Sequence, residues 1–217
     1  MMIRTALLAT VALGSMIQPA FAGEGDWLVR ARAINVAPQE SSGDVLPMFP
    51  GGSVSIDDAW VPELDFTYFF NEKWSAELIL GTSPHDLEGE GILAPLGKIA
   101  EVKTLPPTLT LQYRFAPGEK IQPYVGVGLN YTIFYDTDAT TNLTDAVGPT
   151  KIDLDDSFGI ALQAGLDIPL NDKWSANIDV KYIQMETTAT LNSGGAINNV
   201  DVDLNPVVFG IGLGYRF

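Results

Sequence analysis

The chain has 217 residues, with 27 acidic against 12 basic side chains, a formal net charge of −15 and 46% hydrophobic residues. The negative charge argues against nucleic-acid binding, because phosphate contacts need lysine and arginine. With no cysteine and a single histidine, His85, the sequence excludes disulfide frameworks, thiolate metal sites and most catalytic triads or multi-histidine metal sites.

Residues 1–22 have the pattern of a cleaved secretory signal peptide. Arg4 provides a positive start, residues 6–17 form a short apolar run, and Ala20-Phe21-Ala22 matches the small-x-small pattern that precedes cleavage. The run is shorter than the roughly 20 residues of a membrane-spanning helix, so a retained anchor is the disfavoured alternative. Cleavage removes Arg4 and no acid. It leaves residues 23–217 as one domain with 11 basic and 27 acidic side chains, a net charge of −16.

From residue 27 onward, successive segments alternate between apolar and polar side chains with a period of two. This alternation is typical of strands that cross a membrane in a closed barrel. The last segment is the clearest, because apolar residues occupy every second position from Val207 to Phe217, while Gly210, Gly212, Gly214 and Arg216 fall on the other face. The pattern predicts eight strands, at residues 27–37, 56–70, 73–83, 104–116, 121–136, 156–170, 173–186 and 200–217.

The connections between these segments alternate in length. Three are tight turns, at residues 71–73, 116–120 and 171–173. Four are long loops, at residues 38–55, 84–103, 137–155 and 187–199, with a short helix expected at residues 91–102. Short periplasmic turns and long external loops are typical of outer-membrane barrels. The sequence therefore predicts an all-β fold, an eight-stranded antiparallel transmembrane β-barrel located in the bacterial outer membrane.

Aromatic residues recur at the predicted periplasmic ends of the strands. Asn71-Glu-Lys-Trp-Ser-Ala76 returns as Asn171-Asp-Lys-Trp-Ser-Ala176, and Tyr113-Arg-Phe115 returns as Tyr215-Arg-Phe217. Aromatic side chains at this position form a girdle at a membrane interface, whereas the alternative is the core of a soluble sandwich. The predicted girdle consists of Trp27, Trp74, Trp174, Tyr113, Tyr215, Phe115 and Phe217.

Four segments resemble the OmpW family of eight-stranded outer-membrane proteins. They are residues 103–115, with their Leu-Pro-Pro-Thr run, and residues 124–131, 174–182 and 210–217. The resemblance covers most of the strands and little of the long loops. It implies a narrow barrel with an apolar lumen that passes small hydrophobic molecules inward, or a receptor for phage or bacteriocins. Family members often carry a histidine just before the Leu-Pro-Pro-Thr run. This chain has Thr104 there, so a role for that histidine does not carry over.

The strand alternation also identifies the side chains that face the barrel interior. Near the periplasmic side these are five basic and five acidic residues, which predict a neutral ion-pair network that fills the narrow lumen. A stabilising role for this network is preferred over an open water channel. Its predicted members are Arg30, Arg32, Glu63, Asp65, Glu77, Arg114, Asp167, Asp179, Lys181 and Arg216.

Toward the outside, the inward-facing positions become apolar. An apolar wall with a few polar groups at its edge is typical of a site for a hydrophobic ligand, and a plainly packed core is the alternative. An error of one residue in the strand register would exchange the two faces. The predicted substrate-binding wall consists of Ile34, Val36, Val61, Ile79, Phe134, Ile183, Met185, Val202 and Leu204.

Four prolines fall within predicted strands near their outer ends: Pro62, Pro106, Pro107 and Pro206. Proline donates no hydrogen bond to a sheet ladder, and unpaired backbone facing lipid is costly unless it borders a cavity. The prolines therefore predict a lateral opening in the barrel wall, while ordinary bulges at the rim are the alternative.

These features favour a channel for small hydrophobic molecules with lateral exit into the bilayer. The alternative is a structural or surface-interaction barrel whose acidic loops contact phage or bacteriocins. An enzyme is not expected, because His85 lies in a predicted loop without a placed nucleophile and is expected to be solvated.

Neither a cofactor nor a metal is expected, although the acidic stretches at residues 136–138 and 153–156 offer oxygen ligands without calcium-loop spacing. The expected partners are outer-membrane lipid and lipopolysaccharide. The outer-membrane assembly machinery is also expected, because the ending Tyr215-Arg-Phe217 resembles the signal that it reads.

Overall fold

The computed structural model describes residues 23–217, and the predicted signal peptide at residues 1–22 lies outside the described residues. Within residues 23–217, no helix is long and apolar enough to cross a membrane. In chain order the strands are β1 (Trp27–Ala37), β2 (Ser41–Ser42), β3 (Gly52–Ile56), β4 (Ala59–Phe69), β5 (Trp74–Gly81), β6 (Ser83–Gly91), β7 (Lys98–Leu105), β8 (Thr108–Arg114), β9 (Gln122–Ala139), β10 (Thr150–Leu154), β11 (Ser157–Pro169), β12 (Trp174–Ile183), β13 (Glu186–Ser193), β14 (Ala196–Asp203) and β15 (Val207–Arg216).

Eight of these strands close an antiparallel barrel, as the sequence predicts. Their order around the barrel is β1, β4, β5, β8, β9, β11, β12 and β15, and β15 pairs back onto β1. The register places alternate side chains inside and outside, so that Arg30 and Asp65 are fully buried while Leu64 and Leu78 are exposed on the outer surface. An apolar outer surface of this kind matches a lipid environment.

The repeated sequence motif forms a repeated turn and the start of a lipid-facing strand. The Asn71 side-chain oxygen accepts hydrogen bonds from the backbone N–H groups of Lys73 and Trp74, at 2.9 and 3.0 Å. Asn171 makes the same two bonds in the second copy, at 2.9 Å each. The tryptophan of each copy then packs on a neighbouring tyrosine of the predicted girdle, with ring centroids about 5 Å apart, in the pairs Trp74–Tyr113 and Trp174–Tyr215.

The predicted long loops are largely strands, which corrects the sequence interpretation. Strands β3, β6 and β7 join the upper half of β9 in a first outer sheet, and β10, β13, β14 and β2 form a second outer sheet. The helix expected at residues 91–102 is wrong. Only Ala94–Leu96 forms a 3-10 turn, and β7 follows because its side chains alternate between buried and exposed. A helix, α1, forms instead at Thr141–Val147, where the Thr140 hydroxyl caps the backbone N–H of Leu143.

Two predicted strands are each interrupted at proline. Within the predicted strand at residues 104–116, β7 ends at Leu105 and β8 begins at Thr108, and Pro106 and Pro107 lie between them. The predicted strand at residues 200–217 is divided between β14 and β15. The chain turns there at Asn205, whose φ of 34° lies in the left-handed region. These interruptions let the outer sheets leave the cylinder of the barrel.

Candidate functional site

The two outer sheets and the upper barrel enclose an apolar cavity of about 90 Å³. The first outer sheet contributes Val54 and Val102, and the second contributes Ile152 and Val200. All nine side chains predicted for the apolar wall line this cavity: Ile34, Val36, Val61, Ile79, Phe134, Ile183, Met185, Val202 and Leu204.

The sequence interpretation missed the upper half of the cavity wall, because it treated the outer strands as loops. The missed residues still carry a period-two signal, since Leu87 and Gly89 on β6 are buried between the exposed Glu88 and Glu90. Further lining residues that were missed are Val45, Phe49, Val54, Leu93, Ile99, Val102, Leu143, Ile152, Leu191 and Val200.

Below the cavity, a layer of buried ion pairs fills the barrel, and Arg30 lies at its centre. The Arg30 guanidinium is fully buried. It donates to Asp65 and Glu77 at 2.9 Å and to Asp167 at 2.8 Å. These carboxylates come from three different strands, β4, β5 and β11, so a single guanidinium connects opposite sides of the barrel. Arg114 reaches the same Asp167 carboxylate at 2.9 Å.

The upper level of the ion-pair layer forms the bottom of the cavity. The Glu63 carboxylate accepts from Arg32 at 2.9 Å and from Lys181 at 2.8 Å. Lys181 also lies 3.0 Å from Asp179, and the second Arg32 nitrogen donates to Glu77 at 3.0 Å. Glu63 and Lys181 line the cavity itself, so the apolar space ends directly on paired charges.

Arg216 is the exception among the predicted members of the ion-pair layer. It is only partly buried, and it donates to the Asp172 carbonyl at 2.5 Å at the periplasmic mouth. Strand alternation identifies which side chains face the barrel interior, but not how far along the barrel axis each one lies. Arg216 pairs with Leu28 at the very end of β1, one inward position below Arg30. The buried layer therefore holds four basic and five acidic side chains, rather than the five of each that the sequence predicts.

A break in the sheet ladder lies beside the cavity. Pairing between β5 and β8 ends at Ile79 and Thr108, and pairing between β6 and β7 starts at Ser83 and Thr104. Residues 80–82 therefore face residues 105–107 without ladder pairs, and we call this place the ladder break. Gly81, Thr82 and Pro106 line the cavity here, so the break lies between the cavity and the outer surface.

The four predicted opening prolines do not share one place. Pro106 and Pro107 lie in the ladder break, and Pro62 borders it on β4, just above the last β4–β5 pair at Glu63 and Gly81. Pro206 is buried at the separate junction of β14 and β15, where its carbonyl accepts from the backbone N–H of Ile183 at 3.1 Å. The sequence could not separate these two places, because it does not show which strands lie side by side.

His85 is buried on β6, so the expectation of a solvated loop histidine is wrong. Its Nε2 atom lies 2.8 Å from the Ser83 hydroxyl, and its Nδ1 atom lies 3.1 Å from the Asp57 carbonyl oxygen. The Ser83 hydroxyl lies 2.9 Å from that of Thr104 on β7. These three side chains form a polar cluster on the cavity wall, next to the ladder break.

The acidic stretches of the third long loop are engaged with their own neighbours. Asp136 pairs with Lys103, Asp153 pairs with Lys151 at 2.8 Å, and Asp156 accepts from the Tyr131 hydroxyl at 2.7 Å. Across residues 23–217, no group of three or more histidine or carboxylate side chains is placed to hold a metal ion.

Comparison with known proteins agrees with this architecture. A sequence model described as the OmpW family matches residues 23–217. Outer membrane protein W of Vibrio cholerae is 40% identical over 203 residues, which cover 92% of each chain. The dibenzothiophene metabolism operon protein PahQ of Pseudomonas aeruginosa is 30% identical over 220 residues and the full length of both chains. The crystal structure of the outer membrane protein OprG from Pseudomonas aeruginosa superposes with a TM-score of 0.84 at 35% identity. It covers 93% of this chain and 99% of that one.

The closed barrel, its lipid-facing apolar surface and these relatives lead to one conclusion: the chain belongs to the OmpW family, as an eight-stranded β-barrel of the bacterial outer membrane.

Proposed function

We propose that the protein passes small hydrophobic molecules inward across the outer membrane without chemical change. They would enter the apolar cavity from outside and leave sideways through the ladder break into the bilayer. The observation that carries the proposal is the position of this cavity directly above a closed layer of ion pairs. An apolar solute gains about 25 cal/mol for each Å² that it buries in the cavity wall.

Passage straight down the barrel is disfavoured by the ion-pair layer. Arg30, Asp65 and Glu77 have no exposed surface, and each is held by hydrogen bonds at 2.8–3.0 Å. A hydrophobic molecule that moved through this layer would separate buried charges without replacing their partners, which is costly. The ladder break offers a route without buried charges, on which apolar side chains, a few backbone groups and the neutral hydrogen bond between the Thr82 and Tyr135 hydroxyls have to move.

The name of one relative supports the choice of solute. PahQ carries the name of an operon for the metabolism of dibenzothiophene, an apolar aromatic compound, and it aligns with this chain over its full length. The alternative is a structural barrel or a receptor for phage or bacteriocins. Such a barrel needs the outer surface of the loops and has no use for a lined cavity.

The proposal is tested by placing a charge in the cavity wall. Val61→Asp and Leu204→Asp each put an unpaired carboxylate among buried apolar side chains, and Val61→Ile keeps the wall apolar as a matched control. We expect both acidic variants to lose uptake of a small aromatic probe into cells and the isoleucine variant to retain it. Heat-modifiable migration in detergent gels confirms that each variant has folded. Unchanged uptake in both folded acidic variants would favour the structural or receptor barrel.

A further inference from the structure

The polar cluster of His85, Ser83 and Thr104 contains a chain of hydrogen bonds whose direction is fixed at one end. The Asp57 carbonyl oxygen can only accept, so the His85 Nδ1 atom facing it at 3.1 Å carries the proton. In the neutral imidazole, Nε2 is then an acceptor. The Ser83 hydroxyl therefore donates to it over 2.8 Å.

The direction continues through Ser83 to Thr104. Because the Ser83 proton points to His85, the Ser83 oxygen is left to accept from the Thr104 hydroxyl at 2.9 Å. The nearby Ser83 carbonyl, 3.4 Å away, is also an acceptor, so the Thr104 proton points to Ser83 in either arrangement. Thr104 therefore ends the chain with acceptor lone pairs, and hydrogen bonds aligned in this way strengthen one another.

The other polar groups that line the cavity are paired or lie away from the ladder break. Glu63 and Lys181 are paired with each other at 2.8 Å, Thr108 accepts from the Asn130 amide at 2.9 Å, and the Thr82 hydroxyl is paired with the Tyr135 hydroxyl at 2.6 Å. The Thr187 hydroxyl donates to the Asp155 carbonyl at 2.7 Å and keeps acceptor lone pairs, but it lies away from the ladder break. Thr104 is on the wall beside Pro106, on the proposed exit path.

We propose that Thr104 is a specificity-determining residue whose oxygen accepts a hydrogen bond from the solute, so that the cavity prefers small apolar molecules with one hydroxyl group, such as phenols and alcohols, over ethers of the same size. Ser83 and His85 are positioning residues, which hold the threonine proton away from the solute. This inference rests on the proposed function and names the class of solute for the same cavity.

The neutral form of His85 supports the direction of the hydrogen bonds from Thr104 through Ser83 to His85. His85 lies outside the membrane-spanning part, next to Val102 and close to the exposed Lys103–Asp136 pair. Burial lowers its pKa, and the neighbouring carboxylates of Asp58, Asp86 and Asp57 oppose that effect in part. Protonation at Nε2 would reverse the chain: Nε2 would donate to Ser83, and Ser83 would donate to Thr104. The Thr104 proton would then be displaced from the Ser83 hydroxyl, and it would take one of the positions from which the threonine oxygen accepts a hydrogen bond from the solute.

The test uses three molecules of eight heavy atoms each, p-cresol, its isomer anisole and the hydrocarbon p-xylene. Binding to the full protein in lipid nanodiscs is followed by NMR, with the free aqueous concentration fixed by dialysis. A hydrogen bond of ordinary net strength corresponds to about a three- to tenfold change in affinity. We expect Thr104→Val to weaken p-cresol binding by that factor and to leave anisole and p-xylene within about twofold. The matched control Thr132→Val, at a buried position of β9 outside the cavity lining, should change none of the three.

The positioning role of His85 has its own readout, the pH profile of p-cresol binding. We expect the preference to be constant above the ordinary histidine pKa of about 6.5 and to be lost only in acid below it. In the folded His85→Phe variant, which lacks the titrating group, the acid-dependent loss should disappear.

Equal effects of Thr104→Val on p-cresol and anisole, or an equal loss with Thr132→Val, would overturn the inference while leaving the proposed function intact. If none of the three molecules bound the folded wild-type protein, both proposals would fail together.

Discussion

The buried arginines of the barrel illustrate what single residues contribute to the ion-pair layer that closes the barrel interior. Arg30 and Arg32 together contact four carboxylates at 3.0 Å or less, and neither guanidinium is exposed to solvent. Removal of one partner from such a buried group leaves charges that nothing compensates, which typically costs about 3–5 kcal/mol. The ion-pair layer therefore closes the barrel interior, and its stability depends on each of its members.

This gives a prediction for Arg114, which is buried against Asp167 at 2.9 Å. Arg114→Ala should lower the free energy of unfolding in urea by about 3–5 kcal/mol, because Asp167 loses one of its two cationic partners. Lys120→Ala, at an exposed turn position, is the control and should leave the unfolding midpoint nearly unchanged. Similar midpoints for the two variants would show that Arg114 faces bulk water.

At the residue scale, the sequence could predict which side chains face inward but not what they meet. Nine of the ten side chains predicted for the ion-pair layer are buried, and all nine side chains predicted for the apolar wall line the cavity. The expectation that Arg216 is a buried member of the layer was wrong. Alternation along a strand shows which side chains face the barrel interior, but it does not show how far each one lies from the end of the barrel. The expectation for His85 was wrong because its burial depends on pairing between β6 and β7, most of which was predicted to be loop.

At the element scale, the barrel strands follow from local chemistry and the outer sheets do not. Asn71 and Asn171 fix tight turns through their own side chains, so the strands around them are predictable from a few residues. Some outer strands pair across long stretches of chain, as β3 does with β6 and β14 does with β2, although β13 and β14 form a local hairpin. Their alternation is weaker because glycine and polar residues are mixed into it, and only tertiary packing selects the strand conformation.

The last strand carries a prediction about assembly. The Phe217 backbone N–H donates to the Trp27 carbonyl at 2.9 Å, and its ring packs on Tyr215 with centroids 4.9 Å apart. Deletion of Phe217 should lower the amount of folded protein in the outer membrane, because the assembly machinery would lose its terminal aromatic signal.

A matched control exists in the first copy of the motif. Phe115 packs on Tyr113 in the same geometry, at 5.2 Å, but lies inside the chain. Phe115→Ala should accumulate like the wild-type protein when both are quantified by immunoblot of unboiled membranes. Normal accumulation of the Phe217 deletion would remove the assembly role, and an equal loss in both variants would assign the effect to the girdle.

At the scale of the whole molecule, the barrel combines a sealed periplasmic half with a hollow outer half. The charged layer withstands burial because its members pair with one another. The cavity above it is lined by the upper barrel and by the two outer sheets, which β7 and β14 enter beyond the interruptions at β7/β8 and β14/β15. The cavity meets an incomplete ladder at the ladder break. The ladder pairs are also interrupted at the junction of β14 and β15, but backbone hydrogen bonds from Ile183 to Pro206 and from Leu204 to Met185 bridge that gap. Lateral exit at this place is the central claim of the proposed function.

The most direct test is a reversible cross-link across the ladder break. The chain has no cysteine, so Thr82→Cys with Leu105→Cys introduces a single possible disulfide between the facing edges. Ile178→Cys with Ile211→Cys, paired across the continuous β12–β15 ladder, is the control. Mass spectrometry establishes that each bridge has formed, and uptake of p-xylene into cells is then measured before and after reduction. We expect oxidation to stop uptake only in the Thr82–Leu105 variant and reduction to restore it. Equal uptake by the oxidised and reduced forms of that variant would contradict lateral exit through the ladder break.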